Sequence, residues 1–228
     1  MRIDRWNRRL WGMFHPVILA VICLITGLQA ATPWDNVVPN TDVNLPDRPK
    51  WLSYGTSDRF PTVRFNQPVQ VVFPPEDNPR LFVVEKIGRI VVITDRDAPM
   101  LHTFLSLGTK VYNFSESGLL SLAFHPNYKE NGRLFIYYVA QEWNGTSWNY
   151  FNRLSELSTD PNNPNRALPE SEKVLINQPD RHSDHNGGGM LFGPDGYLYL
   201  TIGDEGEFYD ILGNGQKLDH NLFAGMLR

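Results

Sequence analysis

Cysteine is nearly absent: Cys23 is the single one among 228 residues. It lies inside the apolar run Val17–Ile25, so everything after residue 30 is free of thiols. That excludes a disulfide framework, a thiolate metal site and a cysteine nucleophile from the body of the chain. No apolar run reaches the ~20 residues that a helix needs to cross a bilayer; the longest, 17–28, has 12. The body also lacks a Lys/Arg cluster. Residues 1–30 hold four arginines against one aspartate, a surplus of three, so with −4 overall the remainder carries −7. An acidic body without a basic patch predicts no nucleic-acid partner. Two further absences matter. No phosphate-binding or dinucleotide glycine fingerprint follows a strand, and no sustained 3.6-residue apolar period competes with the short strand patterns.

What is present begins with an export signal. Arg2, Arg5, Arg8 and Arg9 precede the apolar run, and Gln29-Ala30-Ala31 offers small residues for cleavage. Residues 1–30 therefore read as a signal peptide, and the mature chain as exported, periplasmic or secreted, without a membrane span. Retention of residues 17–28 as an anchor is the alternative. Residues 31–61, rich in Pro, Asn and Asp, read as an extended lead-in with Trp34 and Trp51 as anchors. Gly and Pro together contribute 35 residues, which suits a turn-rich all-β body.

The stretch Ser183–Asp204 is the most informative in the chain. Met190-Leu191-Phe192 reads as a short strand, and Pro194-Asp195-Gly196 as a turn in which proline presets φ and glycine accepts positive φ. Tyr197–Ile202 reads as the returning strand. Folding about that turn brings the regions of His185 and Asp204 to one end. Gly187, Gly188 and Gly189 leave backbone bare beside the histidine, an opening for a flat ligand. An imidazole held by a carboxylate next to open space is the layout of a general base; a histidine on a solvated turn is the plainer reading. His182, three residues from His185, and the acids Asp204, Glu205, Glu207 and Asp210 allow a metal site, but their order is not that of a calcium loop, and a solvated loop is the simpler expectation. His125 reads as structural. Trp143 and Trp148 could stack on a sugar or merely anchor a loop.

Three segments share one grammar. Val71-Val72-Phe73-Pro74 leads to Leu81-Phe82-Val83, Leu122-Ala123-Phe124-His125-Pro126 to Leu134-Phe135-Ile136, and Leu191-Phe192-Gly193-Pro194 to Leu198-Tyr199-Leu200. The repeated leucines are 53 and 64 residues apart. Units of this length made of short strands predict propeller blades, with three unrelated hairpins in a sandwich as the alternative. The stretch from Ser155 to Asn165 reads as turn or loop. Residues 223–228 read as a further strand, so the ring is expected to be partial and the chain truncated.

Glu116-Ser117-Gly118-Leu119-Leu120-Ser121-Leu122-Ala123-Phe124-His125-Pro126 resembles the "E-x-G-L-L-G-x-A-F-H-P" signature of the quinoprotein glucose/sorbosone dehydrogenase family. Asn131-Gly132-Arg133-Leu134-Phe135 fits its continuation. His185 with its glycines, Phe192–Gly196 and Thr201-Ile202-Gly203-Asp204 are similar to a second signature, and Ala224–Arg228 to a third, usually "A-G-K-I-L-R". Ser121 and Met226 depart from it. The resemblance covers roughly residues 62–228 and implies the N-terminal half of a six-bladed, all-β propeller of antiparallel four-stranded blades. It implies pyrroloquinoline quinone (PQQ) and calcium as cofactors, with the calcium ligands and the basic residues that grip the quinone expected beyond residue 228.

The activity so implied is oxidation of aldose-type sugars at the anomeric carbon. His185 would be the general base, Asp204 its orienting carboxylate, and Glu116 a neighbour of cofactor or substrate. The resemblance leaves the sugar and the electron acceptor unspecified. It also implies that residues 1–228 alone neither hold the quinone tightly nor turn over. A non-enzymatic extracellular propeller of the same family, acting as a binding module, is the rival. A lactone-hydrolysing propeller would need metal-binding carboxylates facing the channel, and none is identifiable.

Overall fold

The computed structural model describes residues 55–228 apart from Asn78, Gln216, Leu218 and His220. The expected signal peptide, Trp34 and Trp51 lie outside the described residues. Among the described residues eleven strands form three antiparallel sheets. Sheet 1 runs β1 (Pro68–Val72), β2 (Leu81–Glu85), β3 (Arg89–Ile93) and β4 (His102–Ser106), side by side in chain order. Sheet 2 repeats that meander with β5 (Leu119–Phe124), β6 (Arg133–Trp143), β7 (Trp148–Asp160) and β8 (Asn163–Asp180). Sheet 3 contains β9 (Met190–Phe192), β10 (Leu198–Thr201) and β11 (Met226–Leu227), with β10 in the centre.

The repeated leucines mark the same place in each sheet. Leu81 and Leu198 begin β2 and β10, and Leu134 is the second residue of β6. Each is thus near the start of its sheet's second strand.

The sheets stack face to face, and the two-residue period of a strand assigns each side chain to one interface. From β6, Leu134, Ile136, Tyr138 and Ala140 pack toward sheet 1, where they meet Phe82, Val84, Ile90, Val92 and Phe104. Between them, Phe135 and Tyr137 pack toward Met190, Leu200, Ile202 and Phe223 around sheet 3. On its outer face sheet 1 covers Leu81, Val83, Val91 and Ile93 with Phe60, Phe65 and Leu101. Phe82 has edge-on contacts with Phe104 and Phe124, both at 4.8 Å between centroids. Burying one such ring contributes roughly 1.5–3 kcal/mol, and the edge-on geometry about 0.5–1.5 kcal/mol more.

One expectation is corrected. Ser155–Asp160 and Asn163–Asn165 are strand, not loop, and only Pro161-Asn162 turns the chain between β7 and β8. The sequence misleads because β8 is an edge strand of its sheet. An edge tolerates Pro164, Pro169 and Pro179, since a missing N–H on the open side breaks no ladder.

Candidate functional site

The hairpin β9–β10 forms as its turn residues require. Gly193 N–H donates to Tyr197 O at 2.9 Å, Gly196 takes φ +80, and Tyr199 Oη donates to Asp195 at 2.6 Å. The register pairs Leu198 with Phe192 and Leu200 with Met190. Beyond the paired residues, the incoming segment 185–189 and the outgoing segment 201–204 stay together: Gly188 N–H donates to Thr201 O at 2.8 Å and Thr201 N–H to Gly189 O at 2.9 Å.

His185 and Asp204 meet there. Nδ1 of His185 is 2.8 Å from Oδ1 of Asp204. The carboxylate is an acceptor, so Nδ1 is the protonated nitrogen and Nε2 carries the lone pair in the neutral ring. Nε2 has no hydrogen bond among the described residues, and the side chain is 45% exposed. Glu116, on the segment entering β5, accepts the His185 backbone N–H at 2.8 Å. All three residues singled out in the sequence are therefore in one contact chain. The Asp204 bond raises the His185 pKa above its ordinary 6.5, helped by the Asp204, Glu116 and Asp184 charges. For Asp204, burial pushes the pKa up, but bonds from His185 and the Gly206 N–H outweigh it and leave the carboxyl low.

Each of the two paired site residues is followed by a buried polar one, whose anchoring role the sequence did not disclose. Asn186 donates from Nδ2 to Asp180 at 2.8 Å, and its carbonyl accepts the Tyr137 hydroxyl at 2.9 Å. Asp180 also accepts from Asn152 Nδ2 at 3.0 Å and from the His182 N–H at 3.2 Å. Burial, with the nearby Glu205 charge, raises the Asp180 pKa to about 6. Glu205, after Asp204, is buried and takes two guanidinium bonds from Arg181 and one from Asn214 Nδ2 at 3.0 Å. His185 and Glu205 both adopt positive φ, +54 and +80, a conformation that non-glycine residues hold only when their surroundings impose it. The anchors Asn186–Asp180 and Glu205–Arg181 are what impose it.

The glycines also meet a packing demand that the sequence did not show. A Cβ on Gly187 would sit 2.6 Å from Gly203 N, and one on Gly188 2.9 Å from the Tyr137 ring. On Gly203 it would be 1.7 Å from the His185 carbonyl oxygen. These residues are glycine because backbone and Tyr137 approach them closely. Gly188 is buried, whereas Gly187 and Gly189 remain exposed beside the imidazole.

The other candidates separate. His182 faces Glu207 at 3.4 Å, not Asp204, and among the described residues no group of three His, Cys, Asp or Glu converges to hold a metal. His125 Nδ1 takes the Asn127 N–H at 3.0 Å in the turn after β5, a structural role. A cavity of about 630 Å³ lined by Glu76, Arg80, Tyr128 and Asp160 lies by the β5–β6 and β7–β8 turns, away from His185. No helix among the described residues is long and apolar enough to cross a membrane.

Stacked antiparallel meander sheets define a β-propeller fold, and the His185–Asp204 pair sits on the segments that flank its third sheet. The chain belongs to the Glucose / Sorbosone dehydrogenase family, whose model matches residues 65–224. It is 35% identical to the Hedgehog-interacting protein of Mus musculus over 144 residues, 60% of this chain and 21% of that protein. Over 194 residues it is 23% identical to Quinoprotein glucose dehydrogenase B of Acinetobacter calcoaceticus, covering 83% of this chain and 39% of that one. The chain thus spans well under half the length of these relatives. The PQQ-bound aldose sugar dehydrogenase of Streptomyces coelicolor shares the fold, with TM-score 0.57 and 22% identity over 72% of this chain and 45% of that one. The apo-form soluble aldose sugar dehydrogenase of Escherichia coli does so with TM-score 0.58 and 18% identity over 72% and 44%.

Proposed function

We propose that the protein is an exported PQQ-dependent sugar dehydrogenase in which His185 is the general base. Residues 1–30 are the signal peptide, 31–61 the lead-in and 62–228 the propeller segment. The observation that carries the reading is the 2.8 Å bond between His185 Nδ1 and Asp204, which leaves Nε2 basic and open to solvent.

In the neutral enzyme Nε2 takes the proton of the substrate's anomeric hydroxyl as the C1–H leaves with its electron pair, and a lactone results. Asp204 holds the ring in the required tautomer and stabilises the imidazolium that forms. Glu116 fixes the His185 backbone through its N–H. The quinone, when bound, supplies the hydride acceptor. The residues near His185 suit the proton transfer better than the grip on a tricarboxylate. The charges of Glu116, Asp184 and Asp204 act on the ring, while Lys86 donates to Asn113 O at 2.9 Å and Arg181 is held by Glu205. Among the described residues near His185, neither of these cations is free to grip the quinone, and no group of three acids or histidines converges to hold calcium.

The test is dye-linked aldose oxidation by the full-length protein reconstituted with PQQ and calcium. His185→Ala is expected to lower kcat by ~10²–10⁴ with the fold unchanged by circular dichroism. A His185→Ala protein with undiminished turnover would remove the base from the mechanism. The second reading is a non-enzymatic binding propeller, favoured by the 35% identity to Hedgehog-interacting protein. Wild-type protein that binds no PQQ and oxidises no sugar would support it.

A further inference from the structure

The hairpin β6–β7 runs five residues past the last pairing of β5, which is Leu119 with Tyr138. The segment 111–114 lies alongside this extension. Val111 bridges to Ala140, and Tyr112 N–H donates to Val139 O at 2.9 Å. Aromatic side chains collect there. Phe114, two residues before Glu116, is 6.2 Å from Tyr112, and Tyr112 is 4.2 Å from Tyr150. Tyr150 and Trp148 share a face of β7 by the two-residue period, roughly 7 Å apart, and Trp148 is the direct cross-strand partner of Trp143. Their rings are 5.5 Å apart at 60°. Three of the five are open to solvent, Phe114 at 65%, Trp143 at 55% and Trp148 at 48%.

The row therefore starts beside the segment that holds His185 and leads away to the hairpin tip. Trp143 and Trp148 flank the 144–147 turn as cross-strand partners and keep about half of their surface exposed. Contiguous exposed aromatic surface on a rigid two-stranded arm marks a binding surface. The C–H faces of a pyranose ring match the negative faces of aromatic rings, while its hydroxyls need polar groups at the rim. On the same face Gln141 pairs with Tyr150 across the strands, and its Nε2 donates to Thr109 O at 2.9 Å, which leaves the amide oxygen to accept from a hydroxyl. The row is longer than one sugar ring.

We propose that Phe114, Tyr112, Tyr150, Trp148 and Trp143 form a stacking subsite for an oligosaccharide whose reducing end reaches His185. This rests on the reading of His185 as the base, but binding along the row does not. Two measurements separate them. In the dye-linked assay with a glucose, disaccharide and trisaccharide series, KM should fall about tenfold from one to three units. In a Trp143→Ala/Trp148→Ala protein that advantage should vanish with the KM for glucose unchanged. A Trp143→Phe/Trp148→Phe protein, which keeps flat rings and the hairpin, should retain most of it. Separately, a trisaccharide alditol, which has no anomeric carbon to oxidise, should quench tryptophan fluorescence saturably. Alditol binding without any sugar oxidation would keep the subsite and overturn the dehydrogenase reading. Equal KM values along the series with no quenching would overturn the subsite and leave the tryptophans as a hairpin-stabilising pair.

Discussion

The largest cause of the raised His185 pKa is its bond to Asp204, with the Glu116 and Asp184 charges adding to it. The raised pKa means that the ring keeps its proton to a pH above 6.5, and the protonated ring cannot act as base. The acid limb of kcat/KM is therefore expected above pH 6.5 in the wild type. Asp204→Asn removes the charge and allows the wrong tautomer, so the limb should move down toward pH 6.5 while the rate falls by ~10²–10⁴. A pH–rate profile of both proteins checks this, and an unmoved limb would show that another group controls it. The meeting of His185 and Asp204 was legible in the sequence because a turn of known type brings them together, whereas Glu116 was singled out by the family resemblance alone. The anchors Asn186, Asp180, Glu205 and Arg181 were not legible. Asp180 meets Asn152 only through the β7–β8 pairing, and no local pattern encodes that meeting.

The element that makes the site is the hairpin β9–β10 with its glycine-spaced ends. Gly203 decides how close those ends come, because a methyl there would collide with the His185 carbonyl. Gly203→Ala should leave the two larger sheets folded, since neither packs on that residue. It should push segments 185–189 and 201–204 apart, with faster amide exchange at Gly188 and Thr201 and activity close to that of His185→Ala. Wild-type exchange at these amides would mean that the crowding is relieved elsewhere. The hairpin was readable because its strands alternate and its turn has Pro-Asp-Gly. The outer half of sheet 2 was not. Asn152, Arg153 and Ser155 are buried in the centre of that sheet, so apolar periodicity fails where the strand is best covered. Prolines then disguise its edge.

At the scale of the whole molecule, Asp180 and His185 are the carboxyl and imidazole groups among the described residues that bind protons more tightly when folded. Asp180, raised to about 6 from 3.8, adds nothing above its folded pKa and adds stability as pH falls from about 6 toward 3.8. The linked amount is up to about 3 kcal/mol. His185 acts in the same direction: its contribution is full below 6.5 and lost as pH rises through the raised folded value. Carboxyls held low oppose this at the acid end. Glu156 is kept low by Arg133, and Glu205, despite its burial, by Arg181 and Asn214, so their contributions are lost as pH falls below about 4. Melting temperature should therefore peak between roughly pH 4.5 and 6 and decline toward pH 8. Asp180→Asn should flatten that decline, and thermal scans from pH 4 to 8 would show it. A wild-type optimum at pH 8 would contradict the assignment.

The bond from the His185 N–H to Glu116 has a mechanical side. It ties the segment entering sheet 3 to the one entering sheet 2, and Ser117 adds a second tie to the Ser183 carbonyl at 3.0 Å. If the third sheet tilts on the second, base and glutamate travel as one body, and the gap that widens is the one between this pair and whatever the first sheet holds.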